Sequence, residues 1–358
     1  MGNHSILHYH TGPDYRLASG AVLAAPTIAF RSMGRLDADG ANAVLVLHGY
    51  TTGPAMLDPD ANVAEGSWSE LVGPGKPIDT DRYFVVCPNM TGSSYGSTGP
   101  GSIDPASGRP YGAAFPALAL EDIVGLQKQL LTALGVRRLA AVAGPSFGAY
   151  QSFQWALSYP DFVERVVAAV GAPWHPNPPG AARALLEGFS ADPAWPVYQA
   201  GDSQALAERL TAMRIETLTR YGVDAELAPR LPDPAERARE VARLAREWAL
   251  GFDPISLVAL MEAAEGFDLR GRLEAIRAPV LYVLSRSDAV FSPTLARTVA
   301  RQPGTDRWSY VELDSDKGHF ASGADAALWA DELRRFMESA PAAWTPLGFK
   351  QLDKEVAA

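Results

Sequence analysis

Two apolar rhythms alternate along the chain. The runs AVLVLH (43–48) and YFVVCPN (83–89) are short, almost uninterrupted and closed by turn residues, the signature of strands buried on both faces of a parallel sheet. FPALALEDIVGLQKQLLTALGV (115–136) instead repeats apolar residues every three or four positions and stops at Gly135, which predicts a helix. A strand follows at RRLAAVAG (137–144), then a helix from about Phe147 to Ser158 ended by Pro160, then a strand at RVVAAVGA (165–172). This order predicts an α/β fold, a mostly parallel sheet flanked by helices, with ligands bound at the carboxyl ends of the strands.

After Ala172 the rhythm changes. A Pro- and Gly-rich stretch leads into purely helical patterns that run to about Phe267, with Val241, Leu244, Ala245 and Trp248 on one face of DPAERAREVARLAREWALGF. The sheet pattern then returns at APVLYVLSRSD (278–288), the helix SPTLARTVARQ, the strand RWSYVELDSD (307–316) and a last helix around 324–337. The expected organisation is one core from 1–175 and 268–358, interrupted by an all-helical cap at 176–267 placed to cover a site. Trp174, Trp195 and Trp248 read as core aromatics of that cap.

The chemistry concentrates at VAGPSFGAYQSFQW. Gly144, Ser146 and Gly148 fit G-x-S-x-G, in which a serine sits on a strained strand-to-helix turn and glycines leave room for its backbone. The pattern is weak alone, but here a strand precedes it, a helix follows, and Pro145 biases Gly144 to the extended conformation of a strand end. A nucleophilic serine needs a base, and the base an orienting carboxylate. Asp288 directly follows one strand and His319 lies in the loop after the last, giving the order Ser, Asp, His of the α/β-hydrolase fold. Backbone donors for an oxyanion are expected at Phe147 and Tyr50, with Gly49 allowing close backbone approach. His48 reads as structural, since the base is already assigned.

Composition narrows the partners. The 358 residues are 47% hydrophobic with a formal charge of -10, which favours a small molecule over nucleic acid or an anionic membrane. The single cysteine, Cys87, is expected to be a buried small hydrophobe, compatible with a reducing, cytoplasmic setting. The start of the chain has no basic and apolar signal pattern, and no apolar run reaches membrane-spanning length. His4, His8 and His10 in HSILHYH read as part of a flexible end rather than a metal site, and GPGK lacks the flanks of a phosphate-binding loop. No metal or cofactor is expected.

Three long stretches carry a family resemblance: NAVLVLHGYTTG, the run from LVGPGKPIDTDRYFVVCPNMTG through STGPGSIDPASGRPYGAAFP, and EDIVGLQKQLLTALGVRRLAAVAGPSFGAYQSFQWALSYPDFVERVV. The chain resembles the homoserine O-acetyltransferase-like group of α/β-hydrolase-fold proteins. The resemblance implies the same triad, a helical cap and a homodimer formed through it. It also implies differences, because members acting on homoserine usually read GGSMGG at the nucleophile and place an aspartate after the catalytic histidine to hold the substrate's ammonium. This chain has GPSFGA, and Phe320 follows His319. Arg183 and Arg214 are the candidates for the family's carboxylate-binding arginine. The expected activity is hydrolysis of small, acetyl-type esters through an acyl-serine; the alternative is O-acetyl transfer from acetyl-CoA, and a remote alternative is a non-catalytic binding protein.

Overall fold

Alternate residues of each central strand face opposite layers, and both layers are apolar, which is why the runs read as continuous. The computed structural model describes residues 6–341 and 344, apart from 60, 62–65 and 177. Its main sheet has eight strands: β1 (Leu7–Thr11), β2 (Thr27–Met33), β3 (Ala43–Val46), β4 (Phe84–Pro88), β5 (Leu139–Pro145), β6 (Val166–Ala169), β7 (Val280–Ser285) and β8 (Trp308–Leu313). They lie in the order β1-β2-β4-β3-β5-β6-β7-β8. β2 runs antiparallel to β1 and β4, and the other pairs are parallel. Val44, Val46, Ala143 and Val283 pack toward Trp68, Trp329 and Phe336 on one face. Leu45, Val142, Ala168 and Tyr282 pack on the other against α1 (Leu120–Ala133) and α2 (Phe147–Ser158).

The beginning of the chain corrects the sequence reading. Leu7–Thr11 is not a loose end but an edge strand, paired residue for residue with Thr27–Arg31. His8 and His10 belong to it; His4 lies outside the described residues. Its polar and half-exposed side chains hide a strand whose stability comes from backbone pairing rather than burial. α1 begins at Leu120, not Phe115, because the Asp122 carboxylate accepts the N–H of Ala119 and fixes the first turn.

Between β6 and the final α/β segment the regular elements among the described residues are helices: α3 (Ala181–Ser190), α4 (Trp195–Gln199), α5 (Ala207–Tyr221), α6 (Val223–Leu227), α7 (Pro234–Gly251) and α8 (Pro254–Glu265). α7 and α8 both start with Asp-Pro, the aspartates Asp233 and Asp253 accepting N–H groups two residues on. The neck of this insertion is closed by backbone bonds from His175 to Phe267 and from Leu269 to Pro173. Apolar residues of α3 to α7 gather in two clusters, one around Phe189, Leu210 and Phe252, the other around Leu218, Val223 and Leu244, while Ala259, Leu260, Ala263 and Ala264 of α8 join the core layer with α1 and α2. Among the described residues no helix is long and apolar enough to cross a membrane.

Candidate active site

β3 and β5 are neighbours whose carboxyl ends carry the loops LHGYTTG and GPSFG. At the second, the chain turns from strand to helix at Ser146, with φ 57° and ψ -120°. A non-glycine residue there is strained, a cost that persists only because the surroundings fix it. The flanking glycines are dictated by sterics. A Cβ at Gly148 would stand 2.1 Å from the Leu47 carbonyl oxygen, and one at Gly144 2.5 Å from the same atom. Only glycine lets the elbow sit against the end of β3.

Asp288 follows β7 and His319 follows β8. Asp288 Oδ2 accepts the Nδ1 proton of His319 at 2.8 Å, while Oδ1 accepts N–H groups of Val290 and Phe291 at 2.7 and 3.1 Å. Burial pushes this carboxyl up, but His319 and the two amides outweigh it and hold Asp288 below the ordinary carboxylate range. Ser287 ties the two loops, its hydroxyl accepting the Gly318 N–H and donating to the Ser315 carbonyl. The imidazole lies between the rings of Tyr221, 4.5 Å away, and Phe291, 5.7 Å away.

Ser146 lines two cavities. The smaller, about 40 Å³, also contacts His319, Gly49, Phe320 and Tyr221. The larger, about 340 Å³, runs between the sheet end and the insertion, past Arg214, Trp248 and Tyr150 to His175. The structure therefore brings Ser146, Asp288, His319, Gly49, Tyr50, Phe147, Arg214 and Phe320 to one place. Phe147 is the first residue of α2, so its N–H has no partner within the helix. Its ring stacks on that of Tyr50, whose hydroxyl is anchored on the Leu257 carbonyl. Gly49 passes Ser146 closely: a Cβ there would lie 3.9 Å from that of Ser146.

Arg214 is buried, donates to Thr51 Oγ1 at 2.6 Å and lies over the Trp248 ring. Arg183 is not part of the site. It is exposed and paired with Glu187 one turn along α3, on the solvated face. Phe320 does more than wall the smaller cavity, because its ring is built into the insertion's cluster with Leu218, Val223 and Leu244. His48 is structural: its Nε2 accepts the Met90 N–H, Nδ1 faces the Gly49 carbonyl, and burial pulls its pKa down to about 4, so the ring is neutral. Cys87 is buried, and burial pushes its thiol far up. Sequence reasoning missed Tyr221, His175 and Arg220. Tyr221 lies just before the left-handed Gly222 that ends α5, a stop signal that could have marked it.

The family model for the alpha/beta hydrolase fold matches residues 42–323. The homoserine O-acetyltransferase of Rhodospirillum rubrum is 33% identical over 356 residues, covering 91% of this chain and 90% of that protein. The chain belongs to the homoserine O-acetyltransferase family of α/β-hydrolase-fold proteins. Two crystal structures share the fold: an esterase, 24% identical with TM-score 0.81 over 93% of this chain and all of its own, and the homoserine O-acetyltransferase of Bacillus anthracis, 22% identical with TM-score 0.78 over 95% and 99%. Membership of this family makes the chain an enzyme of the α/β-hydrolase superfamily. The names of its sequence relatives favour the acetyltransferase alternative over the ester hydrolase first expected.

Proposed function

We propose that the protein moves a small acyl group, acetyl foremost, from a donor such as acetyl-CoA to an alcohol by way of an acyl ester on Ser146. As Ser146 Oγ attacks the acyl carbon, His319 Nε2 takes its proton, and the oxyanion is held by the amides of Phe147 and Tyr50. Collapse expels the donor's thiol, which leaves with the proton from His319. The acceptor alcohol then repeats the sequence in reverse: it loses its proton to His319, attacks the acyl-serine, and Ser146 departs reprotonated. Asp288 stays ionised, fixing the imidazole tautomer and balancing its transient charge.

One observation carries this reading: the strained Ser146 stands where a small cavity beside His319 meets a large one. About 40 Å³ suits the methyl of an acetyl group, and about 340 Å³ leaves room for a leaving group or acceptor. The helical segment 176–267 then serves as a cap, since its residues Arg214, Tyr221 and Trp248 roof the larger cavity. We assign the same cap the role of homodimer face, in keeping with the exposed Val197 and Leu250 on it; light scattering reads the mass directly. Hydrolysis is the second reading, favoured by Phe320, which puts an apolar ring where homoserine-specific members have an aspartate. Thiol release from acetyl-CoA, followed with and without an alcohol acceptor, separates them. Continued release, beyond one thiol per Ser146, that needs the acceptor means transfer, and continued release without it means hydrolysis. No release, together with no turnover of acetate esters, ends the acyl-serine reading.

A further inference from the structure

We infer that Trp248 is a positioning residue for the oxyanion donor at Tyr50, so that the insertion, and not the core alone, aims one of the two amides that receive the developing charge. The inference rests on the acyl-serine reading and names what sets one part of its geometry.

The two expected donors are held in different ways. The Phe147 amide opens α2, and a helix of 12 residues fixes its direction. The Tyr50 amide lies in a loop. From Leu47, whose N–H still reaches the Ala143 carbonyl, the chain leaves the sheet, and side chains take over the task of holding it. The core supplies some of them: His48 Nδ1 faces the Gly49 carbonyl at 2.9 Å, and the Tyr95 hydroxyl donates to the Thr51 carbonyl at 3.1 Å. The insertion adds three more, each from a different helix. Trp248 Nε1 on α7 donates to the same Thr51 carbonyl at 2.9 Å, Arg214 on α5 donates to the Thr51 hydroxyl at 2.6 Å, and the Leu257 carbonyl on α8 accepts the Tyr50 hydroxyl.

The indole is itself held firmly. It is buried, Phe252 stacks on it at 4.7 Å and the Arg214 guanidinium lies over it at 5.0 Å, contacts that fix the ring plane and with it the direction of the N–H. Donors to an oxyanion act only from within about 0.5 Å of the right place. A bond to the Thr51 carbonyl, one residue past the donor, therefore acts on the transition state more than on substrate affinity.

Trp248→Phe tests this, since it keeps a stacked ring and removes the N–H. The acyl donor is nitrophenyl acetate, which releases a coloured phenolate as it acylates Ser146. Two inhibitors isolate the oxyanion. Ser146 adds to the carbonyl carbon of butyl trifluoromethyl ketone, its proton passes to His319 and the ketone oxygen becomes the anion; butyl methyl ketone fills the same space without adding. In the variant the acylation rate constant should fall roughly tenfold with KM little changed, and the trifluoromethyl ketone should bind more weakly by a similar factor while the methyl ketone binds as before. Tyr50→Phe, which keeps the amide and the ring but frees the loop from Leu257, should show the same split. Both ketones weakened alike, or a raised KM with the acylation rate kept, would make Trp248 a wall of the cavity and overturn the inference. If wild type forms the ketone adduct and both variants match it, the acyl-serine reading stands and this inference alone falls. If wild type neither acylates nor forms the adduct, that reading has failed and this one with it.

Discussion

Two absent side chains set the position of Ser146. Because the Leu47 carbonyl sits where a Cβ of Gly148 would be, Gly148→Ala must push β3 and the elbow apart; it should lower stability by several kcal/mol, as overpacking and backbone strain combine. Gly251→Ala is the control, since nothing lies within 4 Å of its Cβ, and thermal melts of the two variants compare them directly. Ser146→Ala should abolish turnover while leaving the melting temperature nearly unchanged, for it removes a nucleophile and little volume. His319→Ala should be equally inactive, and Asp288→Asn less so, because it misorients the base without deleting it. Substantial kcat in Ser146→Ala would end the acyl-serine mechanism. His48 adds a pH dependence of stability. Its pKa falls from 6.5 to about 4 on folding, so the unfolded chain binds its proton first. Stability is complete above pH 6.5 and declines toward pH 4, by at most about 3 kcal/mol for a shift of this size. Urea midpoints measured across that window should drop in the wild type and flatten in His48→Gln.

Between elements, the two arginines show how much of the site could be read from residue spacing. Arg214 lies on α5 between Leu210 and Leu218, both fully buried, so the four-residue repeat already placed it on the inward stripe. Arg183 has Glu187 four residues on, the mark of a solvated face. The meeting of Ser146, Asp288 and His319 at one end of the sheet was legible because each follows a strand that its own apolar run announces. Tyr221 was not, since it comes to line a cavity with Ser146 only when the insertion folds back over the sheet, a return that no local period encodes. The edge strand Leu7–Thr11 escaped for a related reason: its partner supplies hydrogen bonds, not a buried face. Phe320 joins two elements, the loop of the base and the insertion's apolar cluster. Phe320→Asp therefore places an unpaired carboxylate among Leu218, Val223 and Leu244. It should lower the melting temperature by several degrees, read in thermal melts beside wild type. A variant as stable as wild type would mean that the ring has little part in that cluster.

At the scale of the whole molecule, the turn that carries His319 is held by two bodies at once. The core grips His319 through Asp288 and Ser287, and the insertion presses on the same turn, where a Cβ on Gly318 would stand 2.5 Å from the Tyr221 carbonyl. Lys317 extends the grip, its ammonium 2.9 Å from Glu226 on the insertion and 3.2 Å from Asp325 on the core side. Such an arrangement separates the temperature of failure from the temperature of melting. The eight-stranded sheet has continuous layers on both faces, whereas α3 to α7 of the insertion hold smaller clusters of their own and α8 alone of its helices joins the core layer through Leu260 and Ala263, so α3 to α7 are the part expected to open first on warming. When it does, the histidine turn loses half its support while the sheet remains intact. Catalysis should therefore fade on heating several degrees below the calorimetric transition and return on cooling, and activity that tracks the melt of the sheet degree for degree would show that the turn needs no support from above.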